Sequence, residues 1–267
     1  MVSSRRRFVR ALPLAGLAGA SLPLSAWSLS LSQTPMAVGD WMPRQDPALA
    51  KETVGVSHRD IKRVRELVER QPALARAAID WGFGDWESAL GAASHTGRRE
   101  IAEFLLVNGA QPTMFSAAML GQLDVVKAFV AASPGIQRTP GPHGITLLAH
   151  ARAGGVPAAP VLAYLEAVGG ADVRPATQPL AAADRDAVVG DYGFGGGSND
   201  HFVIDVRNDQ VGIERPGSDR RILQHVGDLV FFPSGVPSVK VAFAREGSRV
   251  TRFTIADPGV VLTATRI

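Results

Sequence analysis

Six histidines, at positions 58, 95, 143, 150, 201 and 225, no cysteine and a few scattered carboxylates are the chemistry-bearing residues of this chain. The histidines show no H-E-x-x-H or other metal-binding spacing. His143 and His150 stand seven apart, but His143 belongs to a Pro-Gly segment, and His95 and His150 fall in helical stretches where packing is the ordinary role. Without cysteine there are no disulfides, thiolate ligands or thiol nucleophiles. Asp80, Asp85 and Glu87 read as the negative tip of a projecting finger, and neither they nor Asp191 and Asp205 form a pair that the sequence places in one cleft. A serine nucleophile lacks its context: there is no Ser-x-x-Lys, and Gly196–Asp200 misses G-x-S-x-G at its last position. The GFGGGS run at 193–198 has no Lys-Ser/Thr and no following helix, so it reads as a hairpin tip and not a phosphate loop. The expectation is therefore no catalytic residues, no metal site, no cofactor and no enzyme. Only a base assembled across the junction of two domains would change it.

The elements that carry these residues have two different periods. Ser88–Gly97 and Pro112–Gly121 share one layout: a start residue, a small and apolar run, and a closing glycine; Thr146–Gly155 repeats it. Between the first two, Ile101, Phe104, Leu105 and Leu106 recur at helical spacing. Upstream, Ala48–Val56 and Arg59–Glu69 form a helical pair with Asp60 as N-cap and a stripe of Ile61, Val64, Leu67 and Val68, and Pro72–Ala78 reads as a short third helix. Over about 120 residues the layout resembles an ankyrin repeat array, each unit being a turn and two antiparallel helices. The closing glycines at 97, 121 and 155 are 24 and 34 residues apart, so the fingers between units are irregular. The segment 79–90 (IDWGFGDWESAL) fits one such finger. The resemblance implies a surface for a protein partner, with Trp81, Phe83, Trp86, Phe115 and His143 as candidate partner-binding residues. The competing reading packs both indoles over the first two repeats as a staple.

Beyond a Pro- and Ala-rich link at 171–183 the period falls to two. Strands are expected near 188–194, 200–207, 210–215, 220–226, 228–233, 238–244, 249–256 and 260–266. Eight short strands imply a small antiparallel up-and-down barrel. The order Val189–Tyr192, Phe202–Val206, Leu223, Gly227-Asp228, Phe231, Val241–Phe243 and Thr263–Arg266 resembles the lipocalin-like accessory domain found behind penicillin-binding-protein-like serine hydrolases. The resemblance implies a non-catalytic domain, its interior either filled by side chains or holding a small hydrophobic ligand.

Ser4–Arg10 (SRRRFVR), a weakly apolar stretch and small residues near Ala26 resemble a twin-arginine export signal, which carries folded proteins. The apolar stretch is too short and broken for a stable membrane anchor. Residues 1–28 hold four arginines and no acid, so removing them takes the formal charge from +3 to −1, and nucleic-acid binding loses its support. The expected organisation is thus an α+β multidomain chain: signal 1–28, extended lead-in 29–47, helical repeats 48–170, linker 171–183 and barrel 184–267. The expected function is a non-catalytic periplasmic interaction module. The alternatives are small-molecule or lipid binding in the barrel, or an accessory role to a cell-envelope hydrolase.

Overall fold

A computed structural model of the chain describes residues 44–257 and 259–267. The signal-like segment 1–28 and most of the lead-in lie outside the described residues. No helix among the described residues is long and apolar enough to cross a membrane.

Eight helices form successive pairs: α1 (Pro47–Val56) with α2 (Ile61–Arg70), α3 (Ala89–His95) with α4 (Arg99–Val107), α5 (Met114–Met119) with α6 (Leu123–Ala132), and α7 (Leu147–Ala153) with α8 (Ala159–Val168). Their starts follow the sequence. Asp60, Ser88, Thr113 and Thr146 each accept a hydrogen bond from a backbone N–H of the first turn, satisfying a donor the helix cannot. Val64, Leu67 and Val68 are buried against α1, α3 and α4. A second core, including Val126, Leu147, Val161 and Leu165, joins α5 to α8. The expected third helix is shorter than read: Pro72–Arg76 is a single 3-10 turn.

The finger is present. Strands β1 (Ala78–Asp80) and β2 (Trp86–Ser88) pair antiparallel, with Ile79 opposite Glu87. Strand alternation then puts Trp86 and Glu87 on opposite faces. The indole of Trp86 is 64% exposed and Glu87 is fully buried. The finger is therefore not a negative tip: Asp85 and Glu87 turn into the protein, and only Asp80 stays exposed.

After the linker, α9 (Ala182–Val188) leads into eight strands: β3 (Gly190–Gly193), β4 (His201–Arg207), β5 (Gln210–Glu214), β6 (Arg221–Gly227), β7 (Val230–Pro233), β8 (Lys240–Glu246), β9 (Arg249–Asp257) and β10 (Val260–Arg266). Each pairs antiparallel with the next, and β10 closes on β3. The interior is filled by Tyr192, Phe202, Phe231, Phe243 and Phe253, with several ring centroids 5–6 Å apart. The helical region and the barrel belong to one compact unit. Phe83, at the tip of the finger, packs against the barrel core.

Candidate metal centre

Glu87 sits at the point where four segments of the helical region meet. As the residue before the N-cap of α3, it is fixed by the β1–β2 pairing on one side and the helix on the other. His95 ends the same helix, and its Nε2 lies 2.8 Å from Glu87 Oε1. His58 lies in the turn after α1, with Nε2 3.5 Å from the same oxygen. His143, in the 3-10 turn Pro142–Gly144, brings its Nε2 to 3.2 Å from Glu87 Oε2. The Trp81 indole donates to that oxygen at 2.7 Å.

Two of the three rings are oriented from behind. His58 Nδ1 faces the carbonyl oxygens of Val54 and Gly55, at 3.1 Å each. Carbonyls only accept, so Nδ1 carries the proton, and the ring also caps free carbonyls at the end of α1. His143 Nδ1 is 2.8 Å from Asp85 Oδ2, and its backbone N–H donates to Asp85 Oδ1 at 2.8 Å. His143 occupies the left-handed region at φ 59°, an uncommon conformation for a side-chain-bearing residue that Asp85 helps to hold. In both rings Nε2 is left to face the centre.

One ligand atom from each of His58, Glu87, His95 and His143 lies within 4.8 Å of the other three. Small side-chain movements would bring all four donors to the about 2.0–2.2 Å at which imidazole and carboxylate bind zinc. An imidazole whose second nitrogen is held by a carboxylate or carbonyl is the usual form of a metal-bound histidine. The expectations of no metal ligands and no enzyme fail on this finding: the cluster is positioned to coordinate a metal ion, as a catalytic or cofactor site requires.

Charge supports the arrangement. Burial opposes ionisation of Glu87, but hydrogen bonds from His143, His58 and His95 outweigh it and hold the carboxyl far below the usual range. Asp85 is also lowered, its burial outweighed by His143 and Arg221. Burial disfavours charge on His143, yet Asp85 and Glu87 raise its pKa to about 9. His58 is raised chiefly by its hydrogen bond to Glu87.

His150 packs edge-on to His95 and against Phe115, fully buried, with no hydrogen-bond partner at either nitrogen among the described residues. Burial, with a smaller contribution from His95, pushes its pKa down to about 3. Unfolded, it titrates near 6.5, so as pH falls through that window the unfolded chain takes a proton that the folded chain refuses. His143 acts with the opposite sign: its contribution is complete below about 6.5 and is lost as pH rises through about 9. The metal-free protein should therefore be most stable near pH 6.5. Between about pH 6.5 and 5 the loss should approach ~1.4 kcal/mol per pH unit. Urea unfolding in the presence of a chelator measures it, and His150→Phe should flatten the acid limb. An unchanged limb would remove His150 as its source.

The five candidate partner-binding residues fall in three places. His143 joins the cluster and Trp81 donates to Glu87, while Phe83 lies in the junction with the barrel. Trp86 and Phe115 line an open groove of about 420 Å³ with Pro140, Pro142 and Pro237. A pocket of about 330 Å³ lies beside His143, walled by Arg174, Thr177, Gln224, Phe232 and Ser234. No protein-family model, curated protein or solved structure matches the chain.

Proposed function

We propose that this protein is a metal-dependent catalyst whose centre is one divalent first-row transition ion held by His58, Glu87, His95 and His143. The observation that carries the reading is the convergence of three imidazole Nε2 atoms on one buried carboxylate, with the rear nitrogens of His58 and His143 already committed. Three nitrogens and one oxygen without thiolate suit zinc, iron, nickel or copper. Bound there, such an ion supplies Lewis acidity, polarising an oxygen ligand or lowering the pKa of a bound water.

Two features favour a working ion over a structural prop. α1 and α3, which adjoin or carry three of the four ligands, pack into an apolar core of their own, so that part of the site has support besides the metal. The side chains of His58 and His143 are 26% and 27% exposed, leaving an approach for a small molecule. The finer architecture belongs to the same proposal. Helical pairs with left-handed glycines at 97, 121 and 155 support an ankyrin-type array, and the closed up-and-down order supports a lipocalin-like barrel. Export by the twin-arginine route is supported by Ser4–Arg10, and a route that carries folded proteins would let the ion be inserted before the periplasm is reached.

The test is metal uptake by the full chain. Calorimetry with Zn(II) and Co(II), and elemental analysis of the purified protein, should give one ion per chain, with His95→Ala abolishing uptake. A wild-type chain that takes up none of zinc, cobalt, iron, nickel or copper with unit stoichiometry would overturn the reading.

A further inference from the structure

Asp85 is reached from both halves of the molecule. From the helical region it accepts the His143 backbone N–H and Nδ1–H, both at 2.8 Å. From the barrel it accepts Arg221 Nη2 at 2.6 Å. Arg221 projects from β6 and is 12% exposed, and Asp85 is 3% exposed. The same Nη2 also donates to the carbonyl of Ser234, and the buried Nε has no partner among the described residues. Beside this contact the turn after β7 is pressed onto the ligand-bearing loop. A Cβ at Gly235 would lie 2.8 Å from His143 Cα and 3.2 Å from Asp85 Oδ2.

We propose that the barrel is a working part of the metal centre. Arg221 is a positioning residue that fixes Asp85, and through it the ring of His143, so that metal loading and barrel docking form one linked equilibrium. This rests on the metal reading above. The physical reason is geometric. Asp85 takes the His143 backbone N–H on one oxygen and Nδ1–H on the other, and Arg221 holds the same Oδ2 that receives Nδ1. Without Arg221 the carboxylate is free to turn, and the ring it orients turns with it, which weakens the ligand set. By linkage, whatever factor the docked barrel adds to metal affinity, the metal adds to docking. Other contacts at the junction, Lys51 with Asp219 at 2.8 Å and Gln178 N–H on the His225 carbonyl at 2.8 Å, hold the barrel in place without touching the ligands.

The experiment uses the full chain and Zn(II) in competition with a chromophoric chelator. Arg221→Gln should bind zinc about 10–100-fold more weakly, the usual effect of losing a group that orients a ligand. Arg221→Lys should recover part of the loss. Arg220→Gln, at the preceding residue, which lies just before β6 and pairs with Asp205, should bind as wild type. Two readouts separate positioning from general damage: the visible spectrum of the Co(II) form should shift in Arg221→Gln, and zinc should slow hydrogen exchange over residues 233–239 in wild type but not in that variant. A folded Arg221→Gln protein with wild-type zinc affinity and wild-type exchange would overturn the proposal and leave the metal reading standing. A wild-type chain that binds no metal would end both.

Discussion

Glu87→Gln should abolish tight metal binding and, with no metal present, should destabilise the protein by about 3–5 kcal/mol, the usual cost of removing one partner of a buried charge pair. The carboxylate is fully buried and gathers four donors, from His58, His95, His143 and Trp81. An amide keeps the shape but replaces one acceptor oxygen with an NH₂ facing other donors, and it removes the negative charge that His143 answers. Loss of a direct anionic ligand should exceed the about 10–100-fold expected for groups that only orient ligands. Glu87→Asp separates the two roles. It keeps the charge but withdraws the oxygens by one methylene, so more of the metal-free stability should survive while metal affinity falls. Thermal unfolding with chelator and with excess Zn(II) reads both. Zinc should raise the wild-type midpoint, since a ligand at a thousand times its Kd stabilises by about 4 kcal/mol. It should leave the Glu87→Gln midpoint unmoved. A Glu87→Gln protein with wild-type zinc affinity would remove the residue from the centre.

The barrel and the helical pairs were legible because their signals are local and repeated. Period-two alternation placed all eight strands within two or three residues, and Asp60 marked the start of α2 as expected. The finger at 79–90 was legible from its glycines and aromatics. The candidate metal centre was not, because its residues come from a helix-end turn, a strand, a helix terminus and a 3-10 turn. Each has an ordinary local explanation alone, and only packing joins them. One signal was present and read the wrong way. In β2 the alternation forces Trp86 and Glu87 apart, and assigning both to an exposed tip ignores it. The chain buries the carboxylate and exposes the indole, the reverse of ordinary hydrophobic order. Such local inversions are where a functional site is expected. The left-handed backbone at His143 is a second departure of this kind, invisible without coordinates.

Gly97→Ala and Gly121→Ala should each cost about 2–5 kcal/mol of stability, combining a left-handed backbone for alanine with forced overpacking. The two positions are matched. Gly97 has φ +68° and a Cβ there would stand 2.3 Å from the Ala153 carbonyl oxygen; Gly121 has φ +75° and a Cβ would stand 2.2 Å from that of Pro157. In both, the backbone at the end of α7 or just after it approaches so closely that only glycine fits. Gly109, with φ +91° and nothing within 4 Å, supplies the backbone cost alone, so Gly109→Ala should lose only about 1–2 kcal/mol. The matched pair differ in one respect. Gly97 lies two residues beyond His95, at the end of α3, whereas Gly121 closes α5, which carries none of the four ligands. At temperatures where both variants are folded, zinc affinity should fall about tenfold or more in Gly97→Ala, in the range seen when a ligand's support is disturbed. In Gly121→Ala it should stay near wild type. Equal losses in both would mean that the centre responds to the stability of the whole helical region. A loss confined to Gly97→Ala would show that a helix-closing glycine also sets the position of a metal ligand.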